Sequence, residues 1–217
     1  MMEDPDSAKY IDGIAVHWYT GDHFAQLEMF HKLYPETDII FSEGCYEYCK
    51  GSADTVKIGE KYAHDMIGNF NNYCNTFCDW NLILNEEGGP NHVGNFCDAP
   101  IMADTKNDTV YIHDSYYYIG HFSKYIKKGA KRIGSSVYSD DIEQVSFKNP
   151  DGSIVSVVLN RTEDEKKITY RKNPSSLYVS NIDGSNEKLL LKSINKGENP
   201  DTTGYVPNEF IENNKIL

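Results

Sequence analysis

Apolar positions in the first part of the chain fall into blocks of changing period. Residues 10–19 carry Ile11, Ile14, Ala15 and Val16 and read as a buried strand. The preceding segment DPDSAKY reads as a short capped helical turn that leads directly into that strand. Phe24, Leu27, Phe30 and Leu33 then recur at helical spacing. Ile39, Ile40 and Phe41 form a second short apolar run. Tyr62, Met66, Phe70 and Tyr73 follow at i, i+4, i+8 and i+11, an amphipathic helix over 54–73. Residues 75–84 are a third apolar run. A loop rich in Gly, Pro and Asn extends from Asn85 to about Asp114, and 115–126 reads as another helix.

The order is strand, helix, strand, helix, strand, loop, helix. Near-continuous apolar strands alternating with helices predict an α/β fold whose parallel sheet is covered on both faces. In such folds a ligand sits beyond the carboxyl ends of the strands. The three strand ends here carry Trp18, Glu43 and Trp80, so these residues are predicted to share one mouth.

The pattern changes near Gly129. Segments such as KRIGSSVYS, IEQVSFKNPDGSIVSVVLNR and KKITYRK alternate or run β-branched, with a hairpin turn at Asn149-Pro150-Asp151-Gly152 and another turn at 181–186. This part is predicted to be antiparallel β. From about Lys192 the chain is polar and reads as loosely ordered. The expected organisation is an α/β segment over 1–128, a β domain over 129–191 and a polar tail over 192–217.

Charge narrows the partners. The 217 residues include 33 acidic and 21 basic side chains, a formal net charge of −12. Nucleic-acid binding rests on clustered Lys and Arg, so no nucleic-acid partner is expected. No apolar run approaches the ~18 residues that a membrane helix needs. Sixteen Tyr raise the aromatic share to 12%, which suits stacking on sugar rings and ordinary cores alike. Five cysteines (Cys45, Cys49, Cys74, Cys78 and Cys97) are an odd number, which argues against a fully paired disulfide framework. Two C-x-x-x-C pairs are wider than the usual zinc knuckle, so small buried thiols are the plainer reading and a Cys-rich metal module the sharper one. The amino-terminal residues lack the apolar core and basic start of a signal peptide, and location is left open.

Glu43 stands out. A Glu after a strand is ordinarily a solvated residue, often capping the next helix. Its neighbours shift that reading. Gly44 permits an unusual backbone turn, and Trp18 and Trp80 end the flanking strands. A carboxylate between aromatic walls fits a glycosidase pocket, where a sugar stacks on rings and a carboxylate meets an oxocarbenium-like centre. Tyr19 is in place to donate a hydrogen bond to Glu43 and favour its charged form. His17 fits a hydrogen-bonding core histidine and a site residue equally.

The motifs GIAVHWY, FSEGC, DWNLILNEEGGPNHVGNFCDAPI, GHFSKYI and SIVSVVLNR, in this order from about Asp4 to Arg161, resemble glycoside hydrolase family 30, the glucosylceramidase (acid β-glucosidase) group. The resemblance implies the C-terminal part of a (β/α)8 TIM barrel followed by part of an antiparallel β-sandwich domain. It implies retaining hydrolysis of β-glucosides, with glucosylceramide-like lipids as leading substrates, by two glutamates and without metal or organic cofactor. By motif, Glu43 in FSEGC falls on the nucleophile. Trp18 and Tyr19 in HWY fall on pocket residues after the sixth strand, with His17 beside them. Trp80 in DWN falls on the pocket wall after the eighth strand, and Asn95 and Phe96 in GNF fall on the loop bordering the pocket. Cys45 matches a thiol beside the nucleophile.

The sequence also departs from that pattern. The family's acid/base glutamate belongs to an Asn-Glu-Pro motif after the fourth strand, and no such motif is present. The match opens just before the sixth strand, so the N-terminal half of the barrel is an expected missing partner. Alone, the chain is expected to be inactive. The competing expectation is a non-catalytic carbohydrate-binding or scaffolding derivative that keeps the aromatic wall. After residue 192 the family's closing sandwich strand has no clear counterpart.

Overall fold

The computed structural model describes residues 2–48, 55–164, 167–173, 176–181 and 188–192, and the chain divides into two compact units, Met1–Glu163 and Asp164–Leu217. The first unit opens with α1 (Pro5–Ala8), whose cap Asp4 accepts a hydrogen bond from the Asp6 amide. It leads into β1 (Gly13–His17), as the capped turn in the sequence implied. Then follow α2 (Phe24–Leu33), β2 (Asp38–Glu43), α3 (Thr55–Asn71) and β3 (Cys74–Phe77). The three strands form one parallel sheet in the order β1-β2-β3.

The helix α3 explains why the unit holds together. Ile58 and Tyr62 pack with Trp18, Leu27, Ile39, Phe41 and Cys74 under the parallel sheet. Ala63, Met66 and Ile67 pack with Phe122, Val145, Phe147, Val157 and Leu159 on the other side. A helix buried along two stripes joins two cores, so the sheet that carries Glu43 and the antiparallel part share one support.

The third apolar run does not form one strand. It splits into β3 and β4 (Ile83–Asn85), and Trp80 lies between them with its amide bonded to the Gly44 carbonyl. The segment expected to be a long loop holds two more strands. β4 pairs in parallel with β5 (Ile101–Asp104), which pairs antiparallel with β6 (Thr109–Ile112). The polar stretch after Met102 hid this hairpin. Asp104 is buried because its carboxylate accepts from the amides of Lys106 and Asn107 and from the Asn107 side chain, so it closes the turn of a strand pair. Helix α4 (Asp114–Ser123) follows.

The antiparallel part of this unit contains β7 (Lys131–Ile133), β8 (Ile142–Lys148) and β9 (Ile154–Asn160). The predicted turn joins β8 to β9, with the Asn149 amide donating to the Ser153 carbonyl and Gly152 at φ +86°. The second unit carries β10 (Lys167–Asn173), β11 (Ser176–Asn181) and β12 (Lys188–Lys192) in one antiparallel sheet. The turn expected over 181–186 beyond Asn181, the tail from 193 and Cys49 lie outside the described residues. Among the described residues, no helix is long and apolar enough to cross a membrane.

Candidate active site

Along β1, side chains alternate faces. Ile14, Val16 and Trp18 share one parity, and all three pack in the core under the sheet. Trp18 was expected at the open wall of the mouth, but it is only 7% exposed. Its ring sits 4.8 Å from Tyr62 and 5.7 Å from Phe41 and from Tyr46, each edge-on. Its place on the core side follows from strand parity. Trp18 supports the mouth from beneath. His17 and Tyr19 have the opposite parity and are exposed.

Glu43 by simple alternation would share the face of Ile39 and Phe41, toward the core. A register step prevents this. Val16 pairs with Phe41, but His17 pairs with Glu43, so β2 carries one extra residue, Ser42, opposite the end of β1. The step brings Glu43 level with His17, as a bulge re-aims a side chain. The Tyr19 hydroxyl donates to Glu43 Oε1 at 3.0 Å, and His17 Nε2 lies 3.0 Å from Ser42 Oγ. Burial first, then Cys45 and Glu43, raise the Tyr19 phenol above its usual range, so it remains a donor.

Gly44 was expected to permit an unusual turn. Its φ is not among the positive values; its role is space. A Cβ there would lie 2.9 Å from the Phe41 ring and 3.0 Å from the Trp18 indole. The two rings close on the backbone directly beneath Glu43, and only glycine leaves room for them.

The remaining predicted residues surround this point to different degrees. Trp80 is 51% exposed, beyond β3, and its backbone is tied to Gly44. Asn95 and Phe96 are exposed on the loop after Gly94, which has φ +75°. That loop is pinned to the exit of β2. Tyr48 N–H donates to the Phe96 carbonyl at 3.0 Å, Asp98 N–H to the Tyr46 carbonyl at 2.7 Å, and Glu47 bridges Cys97. Cys45 is half-buried, 3.5 Å from the Tyr19 hydroxyl.

Two groups beside the site carried no strong signal in the sequence. Asp79, directly before Trp80, accepts a 2.6 Å hydrogen bond from Tyr62, and its Oδ2 has no partner among the described residues. Burial pushes its carboxyl up to about 6, against the Tyr62 bond. Cys97 lies 3.2 Å from Cys45, sulfur to sulfur. A cavity of about 620 Å³ is lined by Asp79, Leu82, Pro100 and one face of α4, and one of about 450 Å³ by β1 and α2 with His17 and Trp18. Neither has Glu43 in its lining. Among the described residues, no three His, Cys, Asp or Glu side chains gather as a metal ion would require.

Comparison with known proteins identifies the family of the chain. Residues 1–126 match the glycosyl hydrolase family 30 TIM-barrel domain, and residues 129–185 match the glycosyl hydrolase family 30 beta sandwich domain. The lysosomal acid glucosylceramidase of Mus musculus is 40% identical over 178 residues, 78% of this chain and 34% of that protein. The putative glucosylceramidase 4 of Caenorhabditis elegans is 36% identical over 172 residues, 75% of this chain and 33% of that protein. The chain thus spans about a third of the length of these relatives. Among solved structures, SrfJ from Salmonella typhimurium superposes with a TM-score of 0.78 at 42% identity, covering 83% of this chain and 40% of that one. An endo-β1,6-glucanase superposes with a TM-score of 0.74 at 29% identity, covering 83% and 41%. The chain belongs to glycosyl hydrolase family 30, as a portion of its TIM-barrel domain followed by its β-sandwich domain, and is related to the glucosylceramidases.

Proposed function

We propose that this chain supplies the nucleophile side of a retaining β-glycosidase active site acting on β-glucosides, with glucosylceramide-like lipids as the leading substrates. Glu43 attacks the anomeric carbon and holds the sugar as a covalent ester that water then hydrolyses. Tyr19 holds Glu43 Oε1 and so fixes the attacking oxygen. Trp80, Asn95 and Phe96 border the sugar, and Trp18 supports the floor. No metal or organic cofactor takes part, since two carboxyl groups carry such chemistry. The observation that carries the reading is the Tyr19–Glu43 hydrogen bond at the carboxyl end of a parallel sheet, where barrel enzymes place their chemistry.

Retaining hydrolysis needs a second carboxyl about 5–5.5 Å from the nucleophile, acting as acid and then base. The sequence has no Asn-Glu-Pro to provide it, so the 217 residues alone are expected to be inactive. The test grafts residues 1–185 into SrfJ in place of the segment they match. If that chimera hydrolyses an aryl β-glucoside and Glu43→Gln removes about 10⁴-fold of the turnover, Glu43 is the nucleophile. Full activity in the Glu43→Gln chimera would rule the assignment out. Turnover by the isolated chain would overturn the claim that it lacks its acid.

A further inference from the structure

We propose that Cys45 and Cys97 form a reversible dithiol–disulfide modification site beside Glu43, closed by a peroxide. The two sulfurs lie 3.2 Å apart, and both are free thiols. A disulfide needs about 2.05 Å, so a small side-chain rotation at each residue closes it. The backbone already holds the two segments in register. The Glu47–Cys97 bridge and the hydrogen bonds Tyr48 to Phe96 and Asp98 to Tyr46 flank the pair.

Access divides the roles. Cys45 is half-buried and is the sulfur a small oxidant reaches, whereas Cys97 is 3% exposed. In the first step the Cys45 sulfur displaces one oxygen of hydrogen peroxide, giving a sulfenic acid and one water. In the second, the Cys97 sulfur attacks the sulfenic sulfur, the S–S bond forms, and the hydroxyl leaves with the Cys97 proton as a second water. Two thiols are oxidised and one peroxide is reduced. Burial first, then the neighbouring Cys45, push the Cys97 thiol up to about 12, so it carries the proton that leaves.

Closure has a consequence for the site. Cys45 Sγ sits 3.5 Å from the Tyr19 hydroxyl that holds Glu43. Drawing that sulfur toward Cys97 removes one of the two contacts of the Tyr19 hydroxyl. This consequence rests on the nucleophile reading, but the disulfide itself does not.

The site is tested on the full chain, treated with hydrogen peroxide, with remaining thiols blocked and chymotryptic peptides mapped by mass. Cleavage at Tyr46 and Tyr48 separates Cys45 from Cys49. The expected product is a Cys45–Cys97 link that dithiothreitol reverses. In concentrated urea the same treatment should favour Cys45–Cys49 and Cys74–Cys78, because short loops close more readily in an unfolded chain. A dominant Cys45–Cys49 link in the native chain would sink the proposal, and so would Cys45 sulfinic acid with Cys97 still free. In Cys97→Ala, Cys45 should accumulate as a sulfenic acid trapped by dimedone. If Cys45 instead pairs as fast with another cysteine, Cys97 is not its partner. The link is read by mass, so its absence counts against the thiol pair whatever Glu43 does.

Discussion

The β8–β9 hairpin and the β1–β2 pair lie in the same unit and share α3 as their support, yet they are built differently. β8 and β9 pair at seven consecutive positions, from Ile142–Asn160 to Lys148–Ile154, with no shift of register. Val145, Phe147, Val157 and Leu159 point into one core, and Asn149 closes the turn through its backbone and side chain. β1 and β2 pair regularly only until Val16, then slip by one residue at Ser42. The slip costs ladder regularity and turns Glu43 away from the core. Regular pairing serves packing; the irregularity sits at the proposed site, where it re-aims Glu43.

The largest effect expected on the regular side is that of Phe147→Ala. Phe147 is buried against Phe70, at a ring distance of 5.6 Å, in the core shared with α3. Removing the ring should destabilise the fold by about 3–5 kcal/mol, read as a lower urea midpoint. Turnover per folded molecule in the SrfJ chimera should stay within about twofold. A large loss of turnover among folded molecules would break the comparison, because the hairpin would then be acting on the mouth.

The same contrast explains what could be read from the sequence. The hairpin was plain because alternating or β-branched runs met an Asn-Pro-Asp-Gly turn. Glu43 at the tip of IIF was plain because an acidic residue interrupts an apolar run. Trp18 was legible in principle, since its parity with Ile14 and Val16 assigns it to the core face. The extra residue in β2 was not legible, because Ser42 and Glu43 look like any polar exit from a strand. β5 and β6 were hidden for a different reason. A buried Asp104 satisfied by local amides looks, in sequence, like a loop. The Cys45–Cys97 approach was invisible too, because the sulfurs are brought together by chain segments 52 positions apart.

A smaller effect is expected where α3 meets the hairpin. His64 Nδ1 lies 2.7 Å from Glu143 Oε2, and His64 Nε2 lies 2.8 Å from Asp22 Oδ2. The Glu143 hydrogen bond, with that of Asp22, raises the His64 pKa above its ordinary value despite burial. Burial pulls Asp22 and Glu143 up, but His64 outweighs it, with Lys61 on Asp22 and Arg161 on Glu143, leaving both carboxyls below their usual range. The His64 contribution is therefore fully present below its unfolded pKa, about 6.5, and is lost as pH rises through the higher folded value. The two carboxylate contributions are present above their unfolded values, about 3.9 and 4.3, and are lost as pH falls through the lower folded ones. The clasp should be strongest between about pH 4.5 and 6.5. His64→Gln should cost about 1–2 kcal/mol near pH 5.5, and the gap to the native chain should shrink by pH 8. A gap that does not change with pH would mean that His64 acts there as a neutral packing residue.

The smallest effect belongs to the mouth and probes the contact on which the functional reading rests. Tyr19 is 52% exposed, and its ring stands edge-on to His17 at 5.7 Å. Tyr19→Phe keeps the ring and removes the hydroxyl that donates to Glu43 Oε1 and lies 3.5 Å from Cys45 Sγ. One hydrogen bond to a charged group contributes about 1.5 kcal/mol, so kcat in the chimera should fall roughly tenfold. The unfolding midpoint should scarcely move, because one hydroxyl on a half-exposed residue adds little to the fold. The hairpin and the mouth would then differ in opposite senses: Phe147→Ala lowers stability and spares turnover, and Tyr19→Phe lowers turnover and spares stability. If Tyr19→Phe shifts the midpoint but leaves kcat intact, the Tyr19–Glu43 bond is a strut of the irregular strand end, and Glu43 is positioned by the extra residue in β2 alone.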